Sequence, residues 1–271
     1  MIQFIIFSKN RSCQLDFFLR SIKLYAEWLL NKVVVLYKAD NEFFQQGYEE
    51  IQYLHPSITM IKESDFKNDL IEIIDPKIEY IMFGVDDDVF INEFIFNDFQ
   101  WIRQINSFTY SLRLNNRMDY CYTENRVYPN LPKFDKIDDK IIWNWKEISG
   151  GDYGYPFSLD CNIYRFSDIE KYIRDLEYHS PNTLEGETAK YRDNFENRKM
   201  VAFQENKIIN LAINKVQSDN GNRCGVISAE YLNQMFLEGH RLSFDSLIGI
   251  PDNSPHIDYI KMKWSKDAVN N

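Results

Sequence analysis

Residues Tyr80–Ile91 read YIMFGVDDDVFI. Tyr80 to Val85 suit a strand buried on both faces, yet Asp86, Asp87 and Asp88 follow at once, and Val89, Phe90 and Ile91 resume the apolar pattern. Three adjacent carboxylates raise one another's pKa unless a cation neutralises them. What precedes the stretch sets its place in the fold. Pro76 ends an expected helix carrying Phe66, Leu70, Ile73 and Ile74, with Ser64 as its expected cap. Further upstream, Ile2 to Phe7 form an apolar run ending in Ser8-Lys9-Asn10-Arg11. Leu15, Phe18, Leu19, Ile22, Tyr25 and Leu29 then recur at helical spacing. Lys32 to Lys38 read as a second buried strand, Tyr48 and Ile51 mark a helix, and Ile58 to Ile61 a third strand. Strand and helix alternating at this pitch predict crossover units and a largely parallel, doubly wound α/β sheet. Ligands of such sheets sit beyond the carboxyl ends of the strands, and the aspartates occupy one of those ends.

Downstream the pattern changes. Phe108, Tyr110, Leu112 and Leu114 alternate with Ser107, Thr109, Ser111 and Arg113, which predicts a strand with one wetter face. Residues 115–140 are polar and predict a long loop or flap. Ser167 with Glu170 has the spacing of a capping box. There are no internal repeats and no low-complexity linker, so one domain with two halves is expected, 1–106 and 107–271.

The chain has 271 residues, 44% of them hydrophobic and 27% charged, and a formal charge of −10, which argues against nucleic acid as a partner. Cys13, Cys121, Cys161 and Cys224 are far apart and form no C-x-x-C pair, so reduced thiols are expected rather than a zinc site. The opening MIQFIIFSKNR lacks the basic segment and apolar length of a signal peptide. No window approaches a membrane span, so a cytoplasmic protein is expected. HIDYIKMKWSK (256–266) mixes Lys with aromatics and leaves room for peripheral membrane contact, although an ordinary C-terminal edge fits it better.

A hard divalent cation suits the aspartates, with Asp86 and Asp88 facing the cleft and Asp87 turned towards backbone or ribose. A solvated acidic turn is the plain alternative. A phosphatase nucleophile belongs on the first strand, and the first loop here has no glycine for a nucleotidyltransferase signature. G-x-x-x-x-G-K-[ST] and G-x-G-x-x-G are both absent.

With FSKNR (7–11) after the first strand, VVVLYKADN (33–41) at the second and an apolar strand running into three aspartates, the chain resembles the nucleotide-binding half of GT-A glycosyltransferases. SLRLNN (111–116), DYGYPFSLDCNIYR (152–165), SPNTLEGE (180–187) and NKVQSDNGNR (214–223) are similar to bacterial members of that group. The resemblance implies a Rossmann-like, mostly parallel sheet with helices on both faces and a smaller acceptor-side half. It implies Asp86 and Asp88 as ligands of Mn²⁺ or Mg²⁺ and the diphosphate, with Asp87 near the ribose. Ser8, Lys9 and Arg11 would line the nucleotide, and Asp40 would lie near base or ribose. A C-terminal His would complete the metal shell, His256 in preference to His240, and Lys215 and Arg223 would offset leaving-group charge.

An inverting transfer needs a carboxylate base for the acceptor hydroxyl. Asp160, Glu185, Asp152 and Glu187 are the candidates, Glu185 also fitting the N3 position of a capping box that begins at Asn182. Trp143, Trp145, Tyr153 and Tyr155 are candidate acceptor-stacking rings, with core packing the simpler reading of the two tryptophans. The expected protein is a metal-dependent glycosyltransferase that passes a hexosyl or deoxyhexosyl unit from a UDP- or GDP-sugar to a carbohydrate. A non-catalytic nucleotide-sugar or glycan-binding protein, or a metal-dependent phosphohydrolase, are the alternatives.

Overall fold

The structure, a computed structural model, describes residues 1–217, 223–258 and 260–266. Its first ninety residues follow the expected alternation. β1 (Ile2–Lys9), α1 (Ser12–Tyr25), β2 (Val33–Lys38), α2 (Glu42–Leu54), β3 (Thr59–Lys62), α3 (Phe66–Ile73) and β4 (Tyr80–Val85) succeed one another. The four strands pair in parallel in the order β3-β2-β1-β4. β1 is apolar throughout because both its faces are covered. Phe4 and Ile6 join the core shared with α1 and α2, while Ile5 and Phe7 join the opposite core with Phe66 and Leu70 of α3.

β5 (Asp88–Phe90), α4 (Phe96–Ile102), β6 (Thr109–Ser111), β7 (Tyr120–Cys121), β8 (Arg126–Val127), β9 (Asp135–Ile137), β10 (Lys140–Trp143), β11 (Asn162–Arg165), α5 (Phe166–Asp175), α6 (Pro181–Ala189) and β12 (Met200–Phe203) come next. The chain ends with β13 (Ile208–Leu211), α7 (Ala229–Leu237), β14 (His240–Leu242), β15 (His256–Ile257) and β16 (Trp264–Lys266). The main sheet continues past β4 as β11-β6-β12-β10-β9. β11 and β10 run against their neighbours, so the sheet is mixed but mostly of one direction. A second sheet, β15-β13-β5, stands beside it. The expected α/β class is the one observed, and strands from both sides of residue 106 share the main sheet.

Four local expectations are corrected. Asp65, not Ser64, caps α3: its side chain accepts the Asn68 N–H at 3.1 Å, while the Ser64 N–H donates to Asp69. α5 begins at Phe166 with no side-chain cap, which places Ser167 inside the helix. No wetter face exists at 107–114. Ser107 and Arg113 are as buried as their apolar neighbours, Arg113 lying against the Ser158–Asp160 segment. The 115–140 segment carries β7, β8 and β9, and Met118, Cys121 and Tyr128 anchor it in a core with Trp143, Trp145 and Tyr153. Those two indoles donate to the Tyr153 and Arg198 carbonyls, so Trp143 and Trp145 are core residues.

Candidate functional site

The aspartate triplet is a turn between two sheets. Asp86 and Asp87 reverse the chain at the end of β4, and Asp88 opens β5. The turn closes on itself, since the Val85 N–H donates to Asp88 Oδ2 at 3.1 Å. Asp86 Oδ2 accepts Ser8 Oγ–H at 2.8 Å and the Lys9 N–H at 3.0 Å, which ties the β1 loop to the β4 turn. Asn10 has φ 57, a left-handed geometry that Asn tolerates, and it reverses the loop so that Arg11 points back under it.

Arg11 supplies the charge the triplet requires. Its Nη1 reaches Asp86 Oδ1 at 3.0 Å and Asp87 Oδ2 at 2.8 Å, and its Nη2 donates to the Asn214 carbonyl at 2.6 Å. One guanidinium shared by two carboxylates leaves negative charge in a dry place. Burial therefore pushes Asp86 up to about 6, against the pull of Arg11 and with Asp87 adding repulsion. Burial also pushes Asp88 well above the ordinary carboxylate range, with Asp160 and Asp87 adding repulsion. Arg11 itself is held firmly protonated, since its two carboxylates outweigh the cost of its burial.

A second charge cluster lies next to the first. Asp88, Asn210 and His256 are direct neighbours across β5, β13 and β15. Asn210 Nδ2 donates to Asp87 Oδ1 at 2.8 Å and to Asp88 Oδ1 at 3.2 Å. Arg113, just beyond β6 and 3% exposed, gathers the rest. Its Nε donates to the Asp160 carbonyl at 3.0 Å and its Nη2 to Ser158 Oγ at 3.0 Å, and its Nη1 lies 3.1 Å from His256 Nε2. Asp160 Oδ2 lies 3.4 Å from Nη1. Burial works against the Asp160 anion, but Arg113 and then His256 outweigh it and hold the carboxyl at about 2. The left-handed backbone of Cys161 (φ 49) swings the chain between neighbours. Asp160 faces His256 and Arg113, while the Cys161 thiol donates to Asp88 Oδ2 at 3.1 Å.

These groups meet at a cavity of about 330 Å³ beyond the carboxyl ends of β1, β2 and β4, large enough for a small ligand. Of the expected nucleotide ligands, Ser8, Lys9, Arg11, Asp87, Lys215 and Arg223 line it. So do Asp86, Asp160 and His256. Asp88 sits behind the wall, fully buried. Asp40 lies outside the lining, pairing with Lys9 at 3.3 Å and accepting Asn10 Nδ2–H at 2.8 Å. Arg223 is engaged with Asp258 at 3.1 Å and Tyr120 at 2.8 Å. Residues 218–222 of the NKVQSDNGNR stretch and Tyr259 of the HIDYIKMKWSK stretch lie outside the described residues. His240 packs on Trp264, away from the cavity.

The other carboxylates are placed differently. Glu185 Oε2 accepts the Leu159 N–H at 2.7 Å, and burial with Asp160 nearby pushes its pKa up to about 8. Its capping-box reading is corrected. Ser180 caps α6 with Thr183 at N3, because Pro181 starts the helix earlier. Asp152 receives the Tyr128 hydroxyl at 3.0 Å, and Glu187 pairs with Lys190 at the surface. Neither Arg113 nor Asn210 stands out for the site in the sequence, where Arg113 is one of the alternating polar residues of 107–113 and Asn210 is a lone polar residue in an apolar strand. Asn214 Nδ2 is a further find, a buried donor at the cavity with no partner among the described residues.

The donor set suits a hard cation in kind: carboxylates, an amide and one imidazole. Among the described residues, no three His, Cys, Asp or Glu side chains converge to hold a metal ion. Asp87 and Asp88 would have to exchange their Asn210 bonds to do so.

A polar cavity at the carboxyl ends of parallel strands defines an α/β ligand-binding site. No protein-family model matches the chain. It is 30% identical over 195 residues to the bifunctional glycosyltransferase pgtA of Dictyostelium discoideum, covering 65% of this chain and 25% of that one. The expected likeness to glycosyltransferases is thereby borne out in sequence, and the chain spans about a quarter of that relative's length. Among solved structures it resembles a cytidylyltransferase from Leptospira borgpetersenii (TM-score 0.45, 14% identity, 76% of each chain). It also resembles TarS of S. aureus in complex with UDP (0.45, 11%, 74% of this chain and 58% of that one). A mannosyltransferase from Pyrobaculum calidifontis in complex with GDP-Man and Mn²⁺ matches less of it (0.31, 13%, 41% and 34%). TM-scores below 0.5 are too low to carry a function across. Among the described residues, no helix is long and apolar enough to cross a membrane.

Proposed function

We propose that the protein is a glycosyltransferase that binds a nucleoside-diphosphate sugar, UDP- or GDP-linked, in this cavity and passes the sugar to a carbohydrate acceptor. The observation that carries the reading is the meeting of three kinds of group in one cavity at the strand ends. Lys9, Lys215 and the orphaned Asn214 amide suit phosphate oxygens. Asp87 lies beside them on the wall, and Asp160 lies further along it next to Arg113 and His256.

In this reading Asp86 holds the loop that presents Ser8 and Lys9, which agrees with its bonds to both. Asp88 and His256, neighbours through Asn210, would hold Mn²⁺ or Mg²⁺, with Asp87 alongside. A bound cation supplies charge that stabilises the departing nucleoside diphosphate. Residues 1–106 contribute most of the nucleotide wall, and 107–271 most of the acceptor side. Asp160 is the base of an inverting transfer, being the acceptor-side candidate that faces the cavity. Ionised at neutral pH, it accepts a hydrogen bond from the acceptor hydroxyl and takes the proton as the bond to sugar forms. Glu185, proton-bearing and one step behind through Leu159, keeps the Asp160 turn in place.

Release of nucleoside diphosphate from UDP- and GDP-sugars in the presence of Mn²⁺, followed by chromatography, tests this. Release that disappears in Asp88→Ala supports it. Binding without release favours a non-catalytic module, and phosphate release from simple monoesters favours a hydrolase.

A further inference from the structure

One corner of the cavity has no part in the diphosphate or acceptor chemistry. There the walls are Phe7, Leu36 and Phe66, with Lys38 and Glu63 at the rim. β2 and β3 are in parallel register, Tyr37 beside Lys62, so the next residue of each strand stands side by side at the carboxyl end. The Glu63 N–H donates to the Tyr37 carbonyl at 2.7 Å, which fixes where the Glu63 side chain starts. Lys38 Nζ donates to Glu63 Oε1 at 2.8 Å. The Glu63 side chain is only 14% exposed, whereas that of Lys38 is 47% exposed. Phe66 closes the wall here, 4% exposed and in tilted contact with Phe7 at 5.3 Å.

A flat ring lying against Phe66 with its edge on the rim would meet a lysine ammonium and then two carboxylate oxygens. The order is donor, acceptor, acceptor. Guanine presents the complement along one edge: the O6 acceptor, the N1–H donor and the N2–H donor. Uracil presents an acceptor, a donor and an acceptor, so one of its carbonyls would face a carboxylate oxygen. Cytosine presents a donor and two acceptors, and adenine a donor followed by an acceptor, so both place lone pairs against Glu63. Two parallel N–H bonds to one carboxylate are the strong, directional kind. A site built to receive them penalises a base that cannot donate both.

We infer that the cavity selects a guanine nucleotide, with Lys38 on O6, Glu63 on N1–H and N2–H, and Phe66 against the base. This rests on the nucleotide-sugar reading and narrows it to a GDP-linked donor. Titration calorimetry of the full chain with GDP, IDP and UDP in Mn²⁺ buffer tests it. The expected result is GDP binding about tenfold or more tighter than UDP, with IDP, which lacks the 2-amino group, in between. Glu63→Gln should bring GDP to within about threefold of UDP, weakening GDP and relieving the uracil carbonyl that faced a carboxylate oxygen. The variant should fold, since a rim ion pair adds little stability, and an unchanged melting temperature checks this. UDP binding as tightly as GDP, or GDP affinity unaltered in Glu63→Gln, overturns the guanine assignment and leaves the nucleotide reading standing. Binding of none of the three nucleotides overturns both.

Discussion

Two acidic clusters meet at this cavity, each organised by one buried arginine, and they are built differently. At the β4 turn, Arg11 serves two carboxylates, and Asp86 is left pushed up to about 6. At the second cluster, Arg113 serves Asp160 with help from His256, and Asp160 is held at about 2. The same residue types thus give opposite outcomes. The ratio of cation to carboxylate and the donors left over decide which side of the ordinary range each acid falls on. The first cluster has charge left for a further cation. The second has an anion ready at neutral pH.

The largest expected effect breaks the second cluster at its chemistry. Asp160→Asn should lower turnover by about 10²–10⁴-fold, as loss of a general base does. Binding of the nucleoside diphosphate should barely change, which parallel kinetics and calorimetry would check. A wild-type rate would remove Asp160 from the base role.

Breaking either arginine comes next. Arg11→Met and Arg113→Met should each cost about 3–5 kcal/mol in denaturant unfolding, because buried carboxylates lose their partner. Adding Asp86→Asn and Asp87→Asn to Arg11→Met should recover part of that loss by removing the uncompensated charge. Equal instability of the single and combined variants would show that packing, not charge, is what Arg11 provides.

A pH series sharpens the contrast. The folded pKa of Glu185, about 8, lies above its ordinary 4.5. Its stabilising contribution is therefore full below about 4.5 and lost as pH rises through about 8. Glu185→Gln, a mimic of the neutral acid, should match the wild-type melting temperature near pH 5 and exceed it at pH 9. Asp160 behaves oppositely. Its contribution is present above its ordinary 3.8 and lost as pH falls through about 2. The smallest effect belongs to Lys9→Ala, whose partly exposed pair with Asp40 contributes about 0–1 kcal/mol. Diphosphate affinity should fall while stability holds.

The two clusters also differ in how far the sequence revealed them. Asp86–Asp88 and Ser8–Arg11 are contiguous runs at the ends of adjacent parallel strands, so strand periodicity alone brought them together. Even there, the partner of the aspartates was hidden. Arg11 looks like a loop cation facing a ligand, and only the left-handed turn at Asn10 shows it folded back onto the acids. The second cluster comes from residues 113, 158–160, 185, 210 and 256, joined by antiparallel and parallel pairings that no local pattern encodes. Arg113 looked solvent-facing because alternation reports a period and not which face is covered. Its burial against Ser158, Asp160 and His256 is a tertiary fact. Ser64 and Asp65 are adjacent potential caps, and the choice between them depends on which side chain reaches the Asn68 N–H.

The central claim is that the carboxyl ends of β1, β2 and β4 hold a nucleoside diphosphate against the aspartate turn. A crystal structure of the protein grown with GDP and Mn²⁺, with anomalous scattering to find the manganese, tests it most directly. The account predicts the diphosphate beside Lys9 and Asn214 and the metal peak against Asp87 or Asp88, near His256. Nucleotide bound elsewhere, or a metal peak remote from all three side chains, would contradict it.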